Sequence, residues 1–197
     1  MTESELENIK NKLSCIKELC NGLTLGKIMS NYNWLLKEDV EIVDAVLGEN
    51  ENGLVWYAGD WKSGTWENGT WKDGRFLNEE SVWMNGTFEN GYFGQLAIFE
   101  NGVVKNGDFQ NAIFKNGIFE EGKFTNGEFF DGCFKNGRFE YSIFSGGNFK
   151  NGIFENSSFF SGTWDGGTWL GDKNVWFENK IYISLVRKPL KGMNHLL

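Results

Sequence analysis

From Phe99 onward a large apolar residue stands at every fifth position. The register runs Phe99, Val104, Phe109, Phe114, Phe119, Phe124, Phe129, Phe134, Phe139, Phe144, Phe149, Phe154, Phe159, Trp164, Trp169, fifteen positions without a slip. Two residues before each stands a small one, Ala97, Gly102, Gly107, Ala112, Gly117 and so on to Gly162 and Gly167, with Ser142 and Ser157 as substitutes. The same spacing links Trp56, Trp61, Trp66, Trp71 and Phe76, and then Trp83, Phe88 and Phe93. Two residues are inserted between Phe76 and Trp83 and one between Phe93 and Phe99.

A period of five is neither the 3.6 of a helix nor the 2 of an alternating strand. Asn-Gly pairs usually turn hairpins, but the three residues between successive pairs here are too few for independent ones. The pattern predicts a coil that turns every five residues, each side a short extended x-Phe-x, with glycine at the corner. Four such sides make a coil of about 20 residues, and stacked coils pair their backbones about 4.8 Å apart. The aromatic of each side points inward, so rings stack in columns and bury one another as a single coil cannot. The predicted ladder includes Trp61, Trp66, Trp71, Phe109, Phe114, Phe119, Phe124, Phe129, Phe134 and Phe139.

The ends carry other patterns. Leu6, Ile9, Leu13, Ile16 and Cys20 alternate at three and four, predicting a helix over 4–20 capped by Thr2 or Ser4 and stopped at Asn21-Gly22. Its stripe either closes the end of the stack or pairs the chain with a second copy. "NWLLKEDVEIVDAVLG" reads as a second helix or a short strand leading into the first coil. "KIYISLV" alternates as an edge strand does, before a basic tail; such segments are placed to cap a solenoid against edge-to-edge growth. The chain therefore divides into a helical cap or attachment segment over 1–52, a solenoid over 53–176, and a strand and tail over 177–197.

Charge and composition narrow the chemistry. The net charge of −8 disfavours direct contact with nucleic-acid phosphates or anionic lipid. Cys15, Cys20 and Cys133 make no paired framework, which suits a reducing compartment. Neither a signal peptide nor a membrane-spanning run is visible. His195 is the single histidine, so Ser-His, Cys-His and His-zinc sites are not expected. "GIFEEGKF" spaces its glycines as a phosphate-binding loop does, but Phe124 stands where Ser or Thr is needed. The acids are spread evenly. The expectation is a protein without catalytic function, metal or cofactor.

The unit Gly-x-Phe-x-Asn resembles the pentapeptide-repeat family, whose pattern is small–polar–Leu/Phe–polar–x. The resemblance covers 53–176 and implies a right-handed, four-sided β-helix. Departures are glycine for the family's usual alanine, tryptophan at the early core positions, and asparagine at the corner. The aromatic-x-Asn-Gly array also resembles those of tailed-bacteriophage proteins. That implies a virion component (decoration, fibre or baseplate element) located in the virion or host cytoplasm, with protein partners that include other virion proteins.

With residues 20 apart stacked, an acidic column of Glu100, Glu120 and Glu140 is expected beside Lys115, Lys135 and Glu155, together with an apolar flank of Ile113, Cys133 and Ile153. Ile118, Phe130 and Phe160 are further outward candidates, and Leu6, Ile9, Leu13 and Ile16 the helical ones. The acidic column motivates a first alternative, because some pentapeptide-repeat proteins resemble DNA and bind topoisomerases. The exposed aromatics motivate a second, a glycan-binding module.

Overall fold

The structure, a computed structural model, describes residues 3–170. It is a β-solenoid of about eight parallel coils with two short helices near its N-terminus. The predicted strand and tail of 177–197, with His195, lie outside the described residues.

The coil closes on three sides, not four. Phe109 pairs with Phe124, Phe124 with Phe139, Phe139 with Phe154, and Phe154 with Trp169, each step fifteen residues. Backbone bonds carry the stack, as from Ile118 N–H to the Gly102 carbonyl at 2.9 Å and from Glu120 N–H to that of Val104 at 2.7 Å. Three five-residue sides enclose a narrower space than four, and the large rings fill it. Each ring stacks on the one a coil below, as Phe119 on Phe134 at 4.9 Å and 9°, and meets its neighbours edge-on, as Phe119 and Phe124 at 6.0 Å and 89°. Offset stacks and edge-to-face pairs are the arrangements that ring quadrupoles favour. A fourth side would open a central void.

Three columns result. The Trp56 face continues through Trp71, Phe88, Val104, Phe119, Phe134, Phe149 and Trp164. The Trp61 face continues through Phe76, Phe93, Phe109 and onward to Trp169. The Trp66 face continues through Trp83, Phe99, Phe114, Phe129, Phe144 and Phe159. Trp61, Trp66, Trp71, Phe109, Phe114, Phe119, Phe124, Phe129, Phe134 and Phe139 all have no exposed surface. The indole N–H groups of Trp56, Trp66, Trp71 and Trp83 have no hydrogen-bond acceptor. They lie among edge-to-face rings such as Trp66 and Trp71 at 5.7 Å, where π faces are the neighbours available to an N–H.

The corners are of two kinds. After the Trp66 and Trp56 faces the chain turns at glycines of positive φ, such as Gly117 at 116° and Gly122 at 117°. A Cβ on Gly117 would collide with the Gly102 backbone one coil away. Between the Trp61 and Trp66 faces the left-handed residue is instead Asn111, Asn126, Tyr141 or Asn156, with φ of 46–54°. Both inserted stretches of sequence fall at this corner. It absorbs them, so Trp83 still stacks on Trp66 and Phe99 on Trp83.

The N-terminal region differs from expectation. Helix α1 covers only Glu3–Ser14, and Ile16–Leu19 form strand β1. Ile16 therefore leaves the helical stripe and pairs with Ala45 of strand β2, Glu41–Asn50. Leu6 is exposed, Ile9 and Leu13 are half-buried, and α1 lies against the 3-10 turn Asn33–Leu36. Burying Ile16 beside the core outweighs a continued helix, since a short isolated helix is marginal. Helix α2, Leu25–Asn31, is capped by the Thr24 hydroxyl, which accepts from Lys27 N–H at 3.3 Å. β2 runs antiparallel to β3, Gly53–Trp66, a continuous strand that bends through all three sides of the first coil.

Candidate functional site

The outer surface of each face carries the residues just before and just after the buried ring. Because the stack steps by fifteen, columns 20 residues apart do not exist. Glu100 lies on the Trp66 face, Glu120 on the Trp56 face and Glu140 on the Trp61 face. Each is paired with a cation. Lys115 Nζ donates to Glu100 at 2.7 Å, Lys135 Nζ to Glu120 at 2.8 Å, and Glu140 meets Arg138 and, at 3.2 Å, Lys123. The expected acidic column is thus three separate neutralised sites.

The true columns alternate in charge. On the Trp56 face Lys72, Glu89 and Lys105 form a ladder, Glu89 accepting from Lys72 at 2.7 Å and Lys105 at 3.1 Å. Burial pushes the Glu89 carboxyl up, but the two lysines outweigh it and hold it below its ordinary value. On the Trp61 face Asp60 accepts both Nε, at 2.7 Å, and Nη2 of Arg75, and these bonds hold its carboxyl down against the opposing effect of burial. Arg138 also reaches Glu155.

The expected apolar flank separates as well, Ile113 lying on the Trp66 face, Cys133 on the Trp56 face and Ile153 on the Trp61 face. The fifteen-residue step creates others. Val103, Ile118 and Cys133 are consecutive on the Trp56 face, and Val82, Ile98 and Ile113 on the Trp66 face, all half-buried.

Phe130 and Phe160 share the Trp66 face, two coils apart, with Ser145 at the level between. Phe130 N–H donates to Phe114 O, Ser145 N–H to Phe129 O and Phe160 N–H to Phe144 O, each at 2.8 Å. The two phenylalanines are 44% and 41% exposed, and about 9.6 Å of stack separates them. Ile143 and Tyr141, exposed on the same coil as Ser145, extend the patch toward the wide corner. Neither was singled out from sequence. The signal for Tyr141 was present: at a fifteen-residue period it replaces asparagine in the series Asn111, Asn126, Asn156.

A shallow open groove on the opposite corner is lined by Asp73, Arg75, Asn90, Tyr92, Asp108 and Lys123. Burial and the Asp108 charge push the Tyr92 phenol up. Among the described residues no three His, Cys, Asp or Glu side chains gather as a metal site requires, and no helix is long and apolar enough to cross a membrane. No protein-family model, curated protein or solved structure matches the chain.

Proposed function

We propose that the protein is a rigid, non-enzymatic strut that offers its Trp66 face to a protein partner, in the setting of a bacteriophage virion. One observation carries the reading. On a surface where charges are largely paired from coil to coil, Phe130, Tyr141, Ile143 and Phe160 form an exposed apolar cluster on one face. Contiguous apolar surface on a folded protein marks an interface. A closely stacked aromatic core makes that face stiff, so little ordering entropy is lost when it docks.

The virion setting rests on the resemblance of the repeat array and is tested directly. Mass spectrometry of purified particles should find the protein, and a Phe130→Ser, Phe160→Ser double variant that still folds should be missing from them. Absence of the native protein from the particles defeats the setting. Unchanged incorporation of the double variant defeats the assignment of the face.

A second reading is favoured by the spacing of the two exposed rings, which suits the stacking of sugar rings along an extended glycan. A carbohydrate array separates the two: a hit lost in the same double variant selects the glycan. The DNA-mimic alternative loses the acidic column it rested on.

A further inference from the structure

The last coil, residues 156–170, has an open end. Ser158–Phe159, Thr163–Trp164 and Thr168–Leu170 pair with the coil before them, and among the described residues nothing pairs with their other edge. Trp164 and Trp169 are only half-buried, whereas the earlier ladder residues are fully buried. Leu170 is 42% exposed, yet Leu77, in the same column, is 5% exposed.

The residues that follow repeat a corner the structure already contains. Between Phe76 and Trp83 the chain crosses the wide corner as Leu77-Asn78-Glu79-Glu80-Ser81-Val82, with Asn78 at a φ of 80°. Between Trp169 and Trp176 it reads Leu170-Gly171-Asp172-Lys173-Asn174-Val175, the same length. Leucine opens both stretches, Val-Trp closes both, and Gly171 stands where the left-handed residue is needed. The period of five then continues as Trp176, Ile181 and Val186, with Asn174, Asn179 and Ser184 two residues before each. Arg187-Lys188-Pro189 follows. Two basic residues and a proline are what blunt a sheet edge against further pairing.

We propose that residues 171–186 occupy this end as one further coil, seating Trp176 on Phe159, Ile181 on Trp164 and Val186 on Trp169. Isoleucine and valine in place of rings close the column. In this register Phe177 falls beside Phe160 and lengthens the exposed aromatic row.

The register sets a test on the full chain. Thr163 and Lys180 become paired neighbours about 4.8 Å apart, within the Cα range of about 4.4–6.8 Å that a disulfide spans. Ser158 sits across a corner from Lys180. Under mild oxidation Thr163→Cys with Lys180→Cys should link within one chain, at least about tenfold faster than Ser158→Cys with Lys180→Cys. Peptide mapping distinguishes both from bonds to Cys15, Cys20 or Cys133, and circular dichroism checks that each variant folds. No link, or equal rates for the two pairs, overturns the proposal. A link between chains also overturns it, and assigns the end to a second copy.

Discussion

The two ends of the solenoid are built differently. At the N-terminal end β2 lies antiparallel along the first coil, and Trp34 sits over the aromatic columns, 6.0 Å from Trp61 and 5.1 Å from Trp66. Trp56, Trp61 and Trp66 have no exposed surface as a result. At the other end of the described residues Trp164 and Trp169 are half-buried and Leu170 is exposed. A repeat supplies each coil with a neighbour, but it cannot itself supply a terminus. The N-terminal segment ends the stack by leaving the pattern, since an antiparallel strand does not offer the template that a parallel coil would extend.

The middle of the stack shows what both ends must protect. Phe119 packs among Phe109, Phe114, Phe124 and Phe134 with no exposed surface. Phe119→Asp would place a charge there without a cation, and a loss above about 5 kcal/mol, enough to abolish folding, is expected. Lys115→Asp, on the surface, should cost about 1 kcal/mol or less. Urea unfolding followed by circular dichroism measures both; equal, mild effects would remove the inward assignment of the ring.

A direct comparison of the ends comes next. Trp34→Ala should cost about 3–5 kcal/mol, and Trp164→Ala, half-buried to begin with, roughly half as much. Hydrogen exchange should then show the first coil opening in the Trp34 variant while later coils stay protected. If Trp164→Ala costs as much as Trp34→Ala, the described C-terminal end is sealed as well as the other.

Gly117→Ala tests the corner that both ends share. The positive φ and the collision with the Gly102 backbone predict a loss of about 1–3 kcal/mol. Gly26→Ala in helix α2, where a Cβ meets only the Thr24 hydroxyl at 3.8 Å, should instead gain about 0.4–1 kcal/mol. Thermal melts of the two variants should move in opposite directions.

The period of five, the inward ring and the glycine corner were legible because each is a strict local rule. The number of sides was not. A five-residue side closes equally well, locally, into three or four, and the choice depends on how the rings fill the centre. The indels after Phe76 and Phe93 held the answer, for both fall at one of three corners. Reading the surface at a step of 20 then scattered the true neighbours: Phe130 and Phe160 fell into different columns, and Glu120 was separated from Lys135. Strand β1 was hidden for another reason. Ile16 and Leu19 fit a helical stripe as well as a strand, and only pairing with β2 decides between them.

Acid offers the subtlest change to the comparison, because it acts on the sealed end. Glu49, Asp60 and Glu89, all in the cap or the early coils, have carboxyls held below their ordinary values. Lys27 and Tyr32 hold Glu49 down, Arg75 holds Asp60, and the lysine pair overcomes the burial of Glu89. A carboxyl depressed in the folded state binds its proton more readily when unfolded. Its contribution to stability is therefore complete above the unfolded value and is lost as pH falls through the folded one. From about pH 4 downward the N-terminal coils should lose protection faster than the middle of the stack, and the gap between the ends should narrow. Asp60→Asn should remove part of that acid dependence at small cost near neutral pH, because Arg75 is largely exposed. Hydrogen exchange of the first coil at two pH values reads the effect, and an unchanged ratio between the ends on acidification would show that these carboxyls do not hold the cap.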